Sequence, residues 1–425
     1  MTRCLLTKPD KKLQGSIRLP ASKSESNRLL IMQALSEEPF YIENLSGAED
    51  TSTLKLLLEK AAQPHDPGEI FDTGPAGTTM RFLTAYFSAV PGTRVLTGTE
   101  RMKKRPISIL VDALRQLGAK IEYLEQEGFP PLKIEGGNLR GGEVELDGSI
   151  SSQFVSALLM IAPVLHNGLV IRFKGEVTSR PYINMTMRIM EKLGVYATWH
   201  DEDNCISVSQ QPYLPSTEDI ITLGVEPDWS AASYWYAMAA LSQEADLYIH
   251  GLPKNSLQGD SITADLFTFF GVNSTFDENG QGVRLRKAAW VPTDKFGFDF
   301  SDTPDLVQSV AVTASALQVP SLFKGVHTLK IKETDRVSAL IKELAKIGAT
   351  FTVPGENLLE VEQFGGPVAD PLVFDTHEDH RMAMALAPLA MKYGTIAISD
   401  PGVVKKSYPG FWEDLKSVGF EIKSV

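Results

Sequence analysis

Cysteine is almost missing: Cys4 and Cys205 are the only two in 425 residues, far apart and without CxxC spacing. That excludes a disulfide framework and a cysteine-rich zinc site, and it fits a reducing cytoplasm. No apolar run approaches the roughly 20 residues that span a bilayer, and the opening MTRCLLTKPDKK lacks the apolar centre of a signal peptide. Excess positive charge is missing too: 41 Lys and Arg stand against 53 Asp and Glu, a formal net charge of −12. Such a chain does not grip nucleic acid or an acidic membrane through its overall field, but a local cationic pocket for a small anion stays open. Missing motifs narrow the chemistry further. No HExxH, clustered His/Cys or EF-hand loop implies a metal, and no GxxxxGK[ST] points to a P-loop. No GxGxxG opens a helix and no GxSxG offers a nucleophile. The expectation is a protein without cofactor or metal.

What is present is a long-period repeat. The chain is too long for one hydrophobic core, so two or three domains are expected. Leucine-patterned helices recur with a glycine stop and a β-rich run after it: ILVDALRQLGAKIEYL, MRIMEKLGVYATW, ADLFTFFGVNSTF, ALIKELAKIGATFTV and FWEDLKSVGFEIK. TLKLLLEKAAQ is a degenerate copy without the glycine. A second class is apolar nearly all round, the mark of a buried helix. Its members are SKSESNRLLIMQAL, AGTTMRFLTAYFSAV, SSQFVSALLMIAPVL, DWSAASYWYAMAAL, DLVQSVAVTASAL and EDHRMAMALAPLAM. From the second onward they open roughly 75 residues apart. The chain therefore reads as six α/β units, each with one buried helix, one half-exposed helix and a few strands. A solenoid leaves the all-round burial unexplained, whereas three buried helices packed inside each of two globular domains account for it.

Each buried helix opens on a polar cluster, and a helix N-terminus is a ready anion site. SKSESNR offers Lys23, Ser24 and Arg28, although a serine-rich start is also ordinary capping. GPAGTTMR offers Gly77 and Arg81, and its glycines serve a tight turn equally well. Ser151, Ser152 and Gln153 are neutral donors that also read as a cap. KETDR, Lys332 to Arg336, is on base rates a solvated charged turn. Asp379, His380 and Arg381 are harder to dismiss, because they start a helix that must be buried and unpaired charge there costs several kcal/mol.

Taken in order, KSESNR, AGTTMR, RMKKRPI, SISSQF, SRPY, KETDR, DHRMAM and KKSYPGFW resemble the 5-enolpyruvylshikimate-3-phosphate (EPSP) synthase family of enolpyruvyl transferases, from about residue 20 to 415. The resemblance implies an α/β, inverse barrel-like fold of two domains. Residues 21–226 would form one, and 1–20 with 227–425 the other, with three βαβαββ units in each and the active site in the cleft. It implies transfer of the enolpyruvyl group of phosphoenolpyruvate to the 5-hydroxyl of shikimate 3-phosphate, by a cytoplasmic monomer with no nucleic acid or membrane partner. By that likeness the shikimate 3-phosphate ligands are Lys23, Ser24, Arg28, Ser151, Ser152, Ser179, Asp305 and Lys332. The phosphoenolpyruvate ligands are Lys23, Gly77, Arg105, Gln153, Arg336, Arg381 and Lys406. Asp305 is expected to deprotonate the hydroxyl, Glu333 and Lys23 to share the proton traffic at the methylene, and His380 to contact the phosphoenolpyruvate part.

Three positions depart from the family's commonest pattern: Pro75 where Asn is frequent, Phe82 where Pro often follows MR, and Thr328 in place of Asn before KETDR. Pro75 and Phe82 lie beside Gly77, so affinity for phosphoenolpyruvate and for the inhibitor glyphosate is not carried over by likeness, and Thr328 removes the amide of one substrate hydrogen bond. Two other readings compete. One is the sister activity toward UDP-N-acetylglucosamine, which commonly uses a reactive cysteine. The other is a non-catalytic sugar-phosphate binder, which would need no Asp305, Glu333 or His380.

Overall fold

A computed structural model describes residues 2–64, 66–137, 139–213, 221–290 and 295–425. The chain divides into two units, Ala21–Val225 and Met1–Pro20 with Glu226–Val425. Among the described residues there are five four-stranded sheets and one two-stranded sheet. The four-stranded sheets share one plan. In Ala21–Val225, Glu69–Asp72 runs parallel to Gly92–Thr97, which pairs antiparallel with Leu132–Gly136 and through it with Lys120–Tyr123. Between the two parallel strands lies the buried helix Gly77–Ala89, and the amphipathic helix Ser108–Gln116 follows. This is the βαβαββ order that the family resemblance implied, and Gly142–Val208 and Phe296–Gln363 repeat it.

The unit containing the N-terminus completes two of its sheets with the first residues of the chain. Arg3–Thr7 lies between Ile396–Ser399 and Glu421–Ser424, antiparallel to both. Lys12–Arg18 runs parallel to Glu244–His250 in register from end to end. The two-stranded sheet pairs Tyr41–Glu43 with Thr222–Gly224.

Within each unit the three all-apolar helices pack on one another. They are Lys23–Leu35, Gly77–Ala89 and Ser152–Ile161 in one, and Trp229–Leu241, Val307–Leu317 and His380–Leu386 in the other. Their burial is nearly complete: only Gln153 in Ser152–Ile161, only Ser230 in Trp229–Leu241 and no residue of His380–Leu386 escapes it. Gln153 and Ser230 sit at their helix mouths, where polar groups were expected. The half-exposed helices end on Gly118, Gly194, Gly271, Gly348 and Gly419, all at positive φ between 76 and 104°. A side chain is strained in that backbone, so glycine is what lets the chain turn sharply into the next strand. No described helix is long and apolar enough to cross a membrane.

Candidate active site

In Ala21–Val225, Ser22 caps the first buried helix and leaves Lys23 as its first residue. The Lys23 ammonium donates to Asp50 at 2.9 Å, and the Asp50 side chain is 3% exposed. Arg28 is 2% exposed and ties three helices together. Its Nε donates to Thr186 Oγ1 at 2.7 Å, Nη2 to Ser156 Oγ at 2.9 Å and Nη1 to the Ser24 carbonyl at 2.8 Å. Burial pulls its guanidinium down to about 10, with Tyr182 and Glu25 opposing the fall. Phe82 lies under that guanidinium, 5.6 Å from its carbon to the ring centre, so this departure from the family pattern packs as a cation–π partner.

Gly77 begins the next buried helix because Arg105 needs the space. A Cβ there would stand 2.5 Å from Arg105 Nη1 and 2.9 Å from its Cζ. Arg105 itself is 7% exposed. Arg81, at the fifth position of the same helix, donates to Gln153 Oε1 at 2.5 Å. Ser151 caps the helix that Ser152 and Gln153 open. Ser179 is buried at φ 55°, an N-cap in the left-handed region.

The other unit brings together a denser set. Asp305 Oδ1 accepts from Arg336 Nη1 at 2.9 Å, and Lys332 stands 3.9 Å away. Its Oδ2 accepts from Arg381 Nη2 at 2.8 Å. Glu333 accepts from Arg336 Nη2 at 2.9 Å and from Lys406 Nζ at 3.1 Å. Asp379, with no exposed side-chain surface, accepts from Arg336 Nε at 2.7 Å and from the Arg381 backbone N–H at 2.8 Å. His380 Nδ1 lies 3.4 Å from the same carboxylate. Four cations thus meet three carboxylates in a volume largely shielded from water, and Tyr234 and Ser230 hold the far side of Arg381.

The charge balance shows in the ionisations. Burial pushes the Asp305 carboxyl up, but Arg381, Lys332 and Arg336 together outweigh it and hold the group well below the usual carboxylate range. Burial pulls Arg336 down, yet Asp379, Glu333 and Asp305 raise it above its ordinary value. Lys332 is lowered, by burial first, with Asp305 opposing and Arg336 adding to the fall. Guanidinium and ammonium donors of this kind form the strong charge-assisted hydrogen bonds that also suit a phosphate or a ligand carboxylate. Among the described residues no group of three or more His, Cys, Asp or Glu is placed to hold a metal.

Comparison with known proteins decides the family. The model of EPSP synthase (3-phosphoshikimate 1-carboxyvinyltransferase) matches residues 7–415. A 3-phosphoshikimate 1-carboxyvinyltransferase of Bacteroides fragilis is 49% identical, with 99% of each chain covered. The chain belongs to the EPSP synthase family. A relative of the same name from Sulfurovum sp. is 38% identical over 97% of this chain and 98% of its own, and one from Vibrio cholerae is 36% identical over 96% and 98%. Among solved structures, EPSP synthase from Acinetobacter baumannii superposes with a TM-score of 0.79 at 21% identity over 100% of both chains. The enolpyruvyl transferase NikO from Streptomyces tendae does so at 0.75 and 15%, over 100% of this chain and 99% of that one. These structural likenesses carry the fold.

Within this EPSP synthase family member, each unit collects its own share of the site residues expected from sequence. Lys23, Ser24, Arg28, Gly77, Arg105, Ser151, Ser152, Gln153 and Ser179 fall in Ala21–Val225, and Asp305, Lys332, Glu333, Arg336, His380, Arg381 and Lys406 in the other unit. Sequence reasoning missed the groups that hold them. Asp50 opens the degenerate helix and gives no motif signal, and Thr186, Ser156 and Tyr234 look like core positions. Asp379 was visible in DHRMAM, but its grip on Arg336 was not.

Proposed function

We propose that this chain performs the reaction of its family, moving the enolpyruvyl group of phosphoenolpyruvate to the 5-hydroxyl of shikimate 3-phosphate and releasing phosphate. The observation that carries the reading is the group of Lys332, Arg336, Arg381 and Lys406 held by Asp305, Glu333 and Asp379. Phosphoenolpyruvate brings a phosphate and a carboxylate, and bidentate guanidinium donors match both. Arg336, Arg381 and Lys406, with Lys23, Gly77, Arg105 and Gln153, would bind it. Lys23, Ser24, Arg28, Ser151, Ser152, Ser179, Asp305 and Lys332 would bind shikimate 3-phosphate, so both units supply ligands.

Asp305 is the base in this scheme, and its resting environment sets a condition on that role. With Arg381, Lys332 and Arg336 about it the carboxylate is a weak base. Bound polyanions offset those cations, so basicity returns when both substrates are in place. Glu333 and Lys23 then handle the methylene proton, and His380 contacts the phosphoenolpyruvate part. As phosphate leaves, the guanidinium groups take up its charge.

The same reading makes the enzyme a cytoplasmic monomer in the shikimate route to chorismate. A net charge of −12 supports independence from nucleic acid. The rival UDP-sugar activity gains nothing from the cysteines, since both are buried and burial pushes the Cys4 thiol up to about 11. The deciding assay follows phosphate released from phosphoenolpyruvate with shikimate 3-phosphate or with UDP-N-acetylglucosamine as acceptor. Release with the first acceptor alone is expected, and a drop of at least a hundredfold in Asp305→Ala. Tight ligand binding without release from either acceptor would leave only a binding protein.

A further inference from the structure

Helix Arg336–Ala345 carries two buried charges seven residues apart, hence on one face: Arg336, 1% exposed, and Glu343, with no exposed surface. Arg336 belongs to the site already described. Glu343 faces the segment that leads into Asp379. Its Oε2 accepts from the Asp375 backbone N–H at 2.9 Å and from Lys346 Nζ at 2.5 Å, while its Oε1 is 2.9 Å from His377 Nε2. Lys346 adds a bond to the Val373 carbonyl at 2.7 Å. At the other end, Arg336 holds Asp379 at 2.7 Å. One helix therefore grips both ends of the loop 375–379.

The loop requires such a grip. His377 and Glu378 are consecutive non-glycine residues at φ 51 and 59°, a backbone that persists only where surrounding contacts enforce it. This conformation lets the Asp379 N–H reach the Thr376 carbonyl at 2.9 Å. It also turns the Asp379 carboxylate onto Arg336 and onto the backbone of Arg381.

We propose that Glu343 and His377 are positioning residues. The bond between them holds loop 375–379 in its strained form and thereby sets, through Asp379, where Arg336 and Arg381 present their guanidinium groups to an anionic substrate. The proposal rests on reading those two arginines as phosphoenolpyruvate ligands.

Three variants of the full-length enzyme test it. His377→Asn suits a left-handed backbone but is too short to reach Glu343. It is expected to keep its melting temperature within a few degrees of wild type. Its KM for phosphoenolpyruvate should rise about tenfold, with that for shikimate 3-phosphate changing less than about twofold. His377→Gln restores a donor near the Nε2 position and should recover most of the loss. A wild-type KM in His377→Asn overturns the proposal. So does a parallel rise in both constants with a lowered melting temperature, which a merely structural role would give. Arg381→Lys checks the underlying reading separately. If it raises the phosphoenolpyruvate KM while His377→Asn does not, only the positioning role fails. If it leaves that KM unchanged, the ligand assignment fails and the positioning role with it.

Discussion

Asp260 is 2% exposed, accepts a hydrogen bond from Ser230, and is one hydroxyl removed from Arg381. Burial pushes its carboxyl up from 3.8 to about 6; the Asp305 charge adds to the rise, and Ser230 and Arg381 oppose it. Well below pH 4 the group is neutral in both folded and unfolded chains. As pH climbs toward 6 the unfolded chain ionises first, so the folded state loses stability through that window, by as much as about 3 kcal/mol for two pKa units. Asp260→Asn, which keeps an acceptor for Ser230, should remove this falling contribution, so the unfolding free energy gains more, or loses less, than wild type as pH rises from about 4 to 6. Urea unfolding at a series of pH values measures it, and a slope matching wild type contradicts the buried-acid account. Gly77→Ala makes a second test. Its new Cβ forces Arg105 away, because 2.5 Å to Nη1 is below any stable contact. The expected result is a several-fold higher KM for phosphoenolpyruvate with little change in melting temperature, read by steady-state kinetics. Lys23 and Arg381 stood out in sequence as cations at helix mouths, while Asp305 entered only through the family resemblance. The holders did not stand out: Asp50 and Glu343 have no local pattern, and only the fold brings them to Lys23 and to loop 375–379.

At the scale of elements the repeat was legible because each unit needs the same two helix types. An all-apolar helix has to be covered on every side, and a leucine-striped helix on one side. The glycine stops were equally plain, since Gly118, Gly194, Gly271, Gly348 and Gly419 each mark a helix end and each has positive φ. What the pattern did not show is strand order: a parallel pair followed by two antiparallel strands depends on pairing between distant segments, such as Lys12–Arg18 with Glu244–His250. Gly348 offers an element-scale test. It ends helix Arg336–Ala345 at φ 81°, and a Cβ would meet the Gly366 carbonyl oxygen at 2.6 Å. Gly348→Ala should therefore destabilise by about 2 kcal/mol or more, combining backbone strain with a rigid backbone clash. The midpoint of urea unfolding should fall accordingly. Unchanged stability would show that the turn adapts at no cost.

For the whole molecule, the two units differ in how the chain builds them. Ala21–Val225 is continuous, while the other unit needs Met1–Pro20 as well as Glu226–Val425. The first strand, Arg3–Thr7, is interior to its sheet and bonds to neighbours on both sides, and Lys12–Arg18 covers an edge along its full length. Leu6 and Leu13 are completely buried in the same core as Trp229, Trp235 and Phe411. Without the first twenty residues that core loses two strands and leaves three others, Ile396–Ser399, Glu421–Ser424 and Glu244–His250, unpaired along one side, a loss beyond the about 5–15 kcal/mol by which a native domain is stable. A fragment of residues 21–225 should fold alone and unfold cooperatively. A fragment of residues 226–425 should not, and joining residues 1–20 to its N-terminus by a flexible linker should restore a cooperative transition. Circular dichroism melts of the three fragments check this. A cooperative melt from 226–425 without the N-terminal strands would mean that Arg3–Thr7 and Lys12–Arg18 only decorate a core that is already sufficient.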